Sequence, residues 1–215
     1  MKIVVVAGAS GLVGKELVNQ LLKDPEVQEI RVLVRRKTFS DNLKIQEFLV
    51  DFNKLPSFSA AFQACDTAFC CLGTTIKQAG NKEAFYQVDF TYVLEFSKQA
   101  KKAGIQTFVL NSALGARKDA SIFYSRVKGE IEEKLYTLNF EHLIIVRPSL
   151  LMGNRQKRRL GEEVGKVITY ILGPLFIGPI KKYKGVKASS VAATMLREAI
   201  FPQPGTKIIE SDAIQ

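Results

Sequence analysis

Hydrophobic and polar positions follow two patterns that take turns along the chain. Continuous apolar runs with strand character recur at Ile3 to Ala7, Ile30 to Val34, Phe48 to Val50, Thr67 to Cys71, Thr107 to Leu110 and Leu143 to Val146. Between most of them apolar residues step by three or four. Leu17 and Leu21 stand four apart, as do Val18 and Leu22; Phe85, Val88, Tyr92, Phe96 and Ala100 repeat the step, and so do Val127, Ile131 and Leu135. Such steps put side chains on one helical face, whereas an unbroken apolar run suits a strand buried on both faces. Buried strands alternating with amphipathic helices predict a parallel sheet covered on both sides, a doubly wound α/β fold. The regular alternation is expected to end after Pro148. No repeat, low-complexity segment or linker divides the chain, so 1–215 is expected to be a single domain, with 149–187 adding a small cap.

The first junction between run and helix, "VVVAGASGLVGKELV", carries Gly8, Gly11 and Gly14 at steps of three. Gly8 directly follows the first run, and Gly14 falls in the first turn of the helix bearing Leu17 and Leu21, which is the setting a dinucleotide fingerprint needs. One glycine allows the tight turn, one lets backbone N–H groups approach a pyrophosphate, one lets helix and strand pack closely, and the helix N-terminus attracts the phosphate charge. A tight turn alone would also use glycines. The strand–loop–helix context favours nucleotide binding on a Rossmann-like fold.

The second run ends "VLVRRKT", without the acid that accepts from a ribose 2′-hydroxyl. Arg35 and Arg36 instead offer guanidinium forks suited to a 2′-phosphate, so NADP(H) is the expected cofactor. Asp51, in "LVDFNKL", is placed either to accept from the adenine amino group or to cap a helix.

"VLNSALGA" exposes Ser112 at the carboxyl edge of the sheet, where ligands of such folds bind. Twelve residues on, "FYSRVKGE" puts Tyr124 and Lys128 on one face of a helix. Free tyrosine has a pKa of about 10, so proton exchange at neutral pH needs a nearby ammonium to stabilise the phenolate. Lys128 can provide it, and Ser112 can hydrogen-bond a substrate oxygen. The expected activity is an oxidoreductase that reduces a carbonyl or oxidises an alcohol of a small molecule, with Ser112, Tyr124 and Lys128 catalytic.

Composition adjusts this picture in a few places. The chain has 215 residues, 47% hydrophobic and 24% charged, enough to bury a full core. Cys65, Cys70 and Cys71 cannot all pair, and two are adjacent in an apolar run; small buried thiols in a reducing compartment are expected, with no metal site. No secretory pattern opens the chain, so a cytoplasmic location is expected. The net charge of +10 is concentrated between Arg155 and Lys187, where only Glu162 and Glu163 oppose it. That stretch is either a solvated basic face or a contact for an anionic partner. Specific nucleic-acid binding is disfavoured because "RQKRRLGEE" lacks interleaved aromatics for base stacking. "VITYILGPLFIGPI" is too short and too broken by glycine and proline to span a membrane. It reads as a pocket lid or cap wall; since lysines follow at once, weak peripheral membrane contact is the alternative. His142 reads as structural. A monomer or homodimer is expected.

Together these motifs resemble the short-chain dehydrogenase/reductase superfamily in its atypical branch, whose loop is GxxGxxG, as in "GASGLVG". "FCCLGTT", "YQVDFTYV", the Tyr124/Lys128 pair and "RPSLLMGNRQKRR" are similar to its Tat-interacting-protein (CC3) subgroup, and the likeness covers nearly the whole chain. The resemblance implies that Gly8, Ser10, Gly11, Leu12 and Val13 wrap the pyrophosphate and that Arg35 and Arg36 meet the 2′-phosphate. It further implies Asp51 at the adenine, and Leu72, Gly73 and Thr74 at the ribose and nicotinamide. Tyr124 and Lys128 would also touch the cofactor, and Pro148 and Ser149 would flank the nicotinamide. Two departures stand out. Asp89 lies nearest the helix position often filled by Asn, and the strand ends Asn-Ser where Ser-Ser is frequent. The subgroup's regulatory associations supply the alternative function, an NADP(H) sensor acting through protein partners without turnover.

Overall fold

The computed structural model describes residues 2–39, 42–152 and 184–214. Seven parallel strands form the main sheet: β1 (Ile3–Ala7), β2 (Glu29–Val34), β3 (Ile45–Leu49), β4 (Thr67–Cys70), β5 (Thr107–Asn111), β6 (His142–Arg147) and β9 (Gly205–Glu210). Their order is β3-β2-β1-β4-β5-β6-β9. Order reverses between β1 and β4, opening a crevice at the carboxyl ends of these two central strands.

The two-residue period of β1 sorts its side chains cleanly. Val4 and Val6 face a layer formed by α1 (Leu12–Lys23) and a helix we number α6 (Ala188–Ile200), where they meet Leu17, Leu21, Val191 and Met195. Val5 and Ala7 face the opposite layer, with α4 (Tyr92–Lys102) and α5 (Phe123–Tyr136) contributing Val93, Phe96, Ile131 and Leu135. A kinked run of 3-10 turns over Phe52–Phe62, broken by non-helical backbone at Lys54 and Phe58, completes that second layer through Phe52, Leu55 and Phe62. Two short helices, α2 (Ile76–Ala79) and α3 (Lys82–Tyr86), follow β4. A π turn over Gln87–Thr91 then joins α3 to α4.

The expected strands appear, with shifts. β3 is Ile45–Leu49 rather than Phe48 to Val50; as an edge strand it is only partly covered, so its apolar run is weak. After Pro148 the alternation resumes, contrary to the sequence expectation. α6 packs on the sheet beside α1, and β9 pairs with β6 in register from His142↔Gly205 to Arg147↔Glu210. A small parallel pair, β7 (Leu151–Met152) with β8 (Val186–Lys187), joins the chain on either side of 153–183. The expected lid at 167–180 and nearly all of the basic stretch at 155–187 lie outside the described residues. Among the described residues no helix is long and apolar enough to cross a membrane.

Candidate active site

The phosphate end of the crevice is made of backbone. Gly8 has φ +79°, and a Cβ built there would lie 2.4 Å from the carbonyl carbon of Cys71 on the next strand end. A Cβ on Gly14 would lie 2.2 Å from Gly8 O, so the first turn of α1 sits directly against the loop. Gly11 N donates to Gly8 O at 3.0 Å and takes the N-cap position of α1 with no side-chain cap. The helix therefore begins with unsatisfied N–H groups at its positive end, the arrangement that binds a pyrophosphate.

Two adjoining cavities run along the crevice. One, of about 480 Å³, reaches from Gly8 and Ser10 past Val34 and Arg35 to Phe52 and Tyr92. The other, of about 390 Å³, reaches from Ser10, Leu12, Val13 and Lys15 to Ser112, Tyr124 and Lys128. Both share Gly11, Leu72, Gly73, Thr74 and Gln78. The first, beside the end of β2, has room for an adenosine half, and the second, beside Tyr124 and Lys128, for a nicotinamide half. Space only glycine leaves open, an uncapped helix start and this two-part cavity together fit a dinucleotide.

Sequence-predicted residues divide accordingly. Arg35 lines the adenosine cavity and is exposed, as is Arg36 just outside its lining. Neither guanidinium has an ion pair among the described residues. Asp51 is also outside the lining; its carboxylate caps the 3-10 segment, accepting from Asn53 N at 2.9 Å. Pro148 and Ser149 line neither cavity. The carbonyl of Pro148 accepts from Leu114 N at 2.9 Å, the amide of Ser149 donates to Ser211 Oγ at 3.0 Å, and the Ser149 hydroxyl donates to the carbonyl of Lys184. Leu151, Lys15, Thr75 and Gln78 are lining residues that sequence reasoning missed; only Lys15, one residue past the last glycine, carried a signal.

The other end is made of buried charges. Lys128 Nζ lies 2.8 Å from Asp89 Oδ1, with their side chains 4% and 0% exposed. Burial is the largest influence on the lysine and lowers its pKa, but the charge and hydrogen bond of Asp89, with Tyr124 and Cys70, together outweigh it, so the ammonium is held above its usual range. Tyr124 is half-buried and packs its ring on Phe85, centroids 5.6 Å apart. The Ser112 hydroxyl donates to Glu132, one helical turn beyond Lys128. Glu132 is itself buried and bound through both oxygens by Arg147, which also reaches Glu210 at 2.8 Å. Ser112 thus offers the cavity oxygen lone pairs while its proton is committed to Glu132. His142 begins β6 at the opposite end of the sheet, with Nδ1 buried and without a partner.

Comparisons agree with this geometry. A family model described as NAD(P)H-binding matches residues 8–169. The rat (Rattus norvegicus) protein HTATIP2 is 36% identical over 217 residues, covering 99% of this chain and 88% of that protein. Protein fmp52-1, mitochondrial, of Aspergillus terreus is 33% identical, covering 99% and 90%. Among solved structures, MoeE5 in complex with UDP-glucose and NAD superposes with a TM-score of 0.73 at 15% identity, over 95% of this chain and 74% of MoeE5. The UDP-glucose 4-epimerase of Thermotoga maritima, solved with UDP-glucose, gives 0.73 at 15%, over 98% and 77%. These two likenesses carry the fold. With its glycine cradle and relatives alike over nearly its full length, the chain belongs to the NAD(P)H-binding family, in the group of HTATIP2 and the fungal fmp52 proteins.

Proposed function

We propose that the protein is an NADP(H)-dependent oxidoreductase that interconverts a carbonyl and an alcohol on a small molecule. The observation that carries this reading is that Tyr124, Lys128 and Ser112 line the same cavity as the glycine loop. When bound, the nicotinamide supplies or accepts the hydride. In the oxidation direction Tyr124 takes the hydroxyl proton as hydride leaves the carbon, and in reduction it returns that proton to the oxygen. Lys128 sets its charge beside Tyr124 and reaches the ribose, and Ser112, its proton already given to Glu132, accepts from the substrate hydroxyl. Arg35, at the adenosine end and free of any acid partner among the described residues, supports NADP(H) over NAD(H). Three buried free thiols support a reducing compartment, the cytoplasm in this proposal.

One observation favours the second reading, a cofactor sensor: the Ser112 proton is already given to Glu132. A panel of aldehydes, ketones and alcohols followed at the nicotinamide absorbance separates the two. Turnover with NADPH or NADP, lost in Tyr124→Phe, supports the enzyme. Tight nucleotide binding with no turnover across the panel supports the sensor.

A further inference from the structure

We propose that Asp89 is a positioning residue, whose carboxylate ties the Lys128 ammonium to the Leu72–Thr74 loop so that nucleotide affinity depends on the charge Asp89 preserves. The inference deepens the oxidoreductase reading and rests on it for the contact between Lys128 and ribose.

Three features of the structure converge on this carboxylate. First, the helix running from Lys82 to Lys102 is interrupted by a π turn at Gln87–Thr91, with Asp89 at its centre. A π turn inserts a residue into the helical period, and such insertions recur at functional sites. Second, the two oxygens of Asp89 join two other elements. Oδ1 lies 2.8 Å from Lys128 Nζ on α5, and Oδ2 accepts from Thr74 N at 2.8 Å in the loop after β4. Third, that loop passes directly over the pair. A Cβ built on Gly73 would lie 3.4 Å from Asp89 Oδ1 and 3.6 Å from Lys128 Nζ. The loop belongs to both cavities, and Asp89 itself lines the one that holds Tyr124 and Lys128.

Charge explains why a carboxylate is needed where an amide would fit. A buried ammonium without a counter-ion gives up its proton rather than remain charged in a low-dielectric site. Three groups face Lys128: Asp89 on the π turn, Tyr124 one turn earlier on α5, and Cys70 at the end of β4. Burial pushes the Cys70 thiol up to about 12, so it carries no charge at neutral pH. Asp89 is the carboxylate among these neighbours. Asparagine at the same position would still accept from Thr74 N, yet it would leave the lysine without a counter-charge.

The sign of the effect follows. With Asp89 the lysine pKa is held above its ordinary value, so nucleotide affinity is insensitive to pH through neutral and mildly alkaline conditions. Without it, burial draws the pKa down, and the ammonium is lost as pH rises through that range. The test is calorimetric titration of NADPH against the full chain at about pH 7 and about pH 9, above the ordinary 2′-phosphate titration near 6. The unmutated protein should change by less than about twofold, and Asp89→Asn should weaken by about tenfold between the two pH values. Asp89→Glu, which restores the charge, should return the flat profile. Lys128→Met should bind weakly and equally at both.

A flat profile for Asp89→Asn alongside weak Lys128→Met overturns the inference alone. Undiminished binding by Lys128→Met overturns the role given to Lys128 and the inference with it. If Asp89→Asn does not fold, the double variant with Lys128→Met is decisive. Recovery of folding shows that an uncompensated ammonium was the defect, and failure of both overturns the proposal.

Discussion

The two ends of the crevice solve the problem of a ligand site in opposite ways. Around Gly8, Gly11 and Gly14 almost nothing is contributed by side chains; the site is a gap, kept open because a Cβ would strike backbone at 2.2 to 2.4 Å at two of the three positions. Around Lys128 the site is crowded with side-chain charge, and two buried carboxylates, Asp89 and Glu132, each hold a cation. A backbone site is specified by what is absent and tolerates little added volume. A charged site is specified by balance, and it fails when one partner is removed while the other stays.

That contrast can be broken at either end. The largest effect is expected from Tyr124→Phe, which should cut turnover roughly 10²- to 10⁴-fold. NADPH affinity should stay within about twofold by calorimetry, since the hydroxyl moves a proton and the ring remains. Retained turnover would remove the catalytic assignment from that end.

At the glycine end, Gly14→Ala should cost about 3 kcal/mol or more, because its Cβ meets the fixed carbonyl of Gly8. Gly11→Ala meets only Gly8 O at 3.2 Å and should cost under about 1 kcal/mol. Thermal unfolding of both variants reads the difference, and equal costs would show that space is not what these glycines secure.

Smaller in scale, replacing Arg35→Asp together with Arg36→Ala should erase an NADP(H) preference of roughly tenfold to a thousandfold, each charge-assisted bond to a phosphate being worth about 1.5–3 kcal/mol. A single replacement should do less, as the neighbouring guanidinium can shift. Equal affinity for the two cofactors in the unmutated protein would refute the preference.

The smallest signal is a silence. Burial raises the Cys65 thiol to about 11 and the Cys70 thiol to about 12, and Cys71 is raised as well. At pH 8 all three stay protonated, so a thiol reagent should label the native protein negligibly and label it fully in denaturant. Rapid labelling without denaturant would show that the β4 end opens.

The same contrast governs what could be read from sequence. The glycine loop is legible because its function is local: three small residues at even steps between one strand and one helix are enough to specify the turn and the cradle. Tyr124 and Lys128 are legible as a pair because four residues span one helical turn. The partner of Lys128 is not legible that way. Asp89 stands out only as a departure from the usual Asn, and the π turn that carries it inward leaves no period in the sequence. Glu132 and Arg147 are similarly hidden, since their pairing joins α5 to β6 through tertiary contact. α6 escaped because small residues such as Ala188, Ala192 and Ala199 carry much of its buried face, and β9 because an edge strand is largely exposed.

Strand order has a further consequence, for the growing chain on the ribosome. β1 is central, β2 and β3 add outward on one side, and β4, β5, β6 and β9 then add outward on the other. Each strand therefore docks, as it is synthesised, on an edge that already exists, and none must be inserted between strands that have already paired. The cost is borne early. Until residues 67–70 emerge, the open edge of β1 is an apolar, unpaired ladder, and a chain stalled before that point presents it to any neighbouring nascent chain. Arrest near residue 60 should accordingly leave an aggregation-prone fragment, whereas arrest after β6 should leave a sheet lacking only its last edge strand.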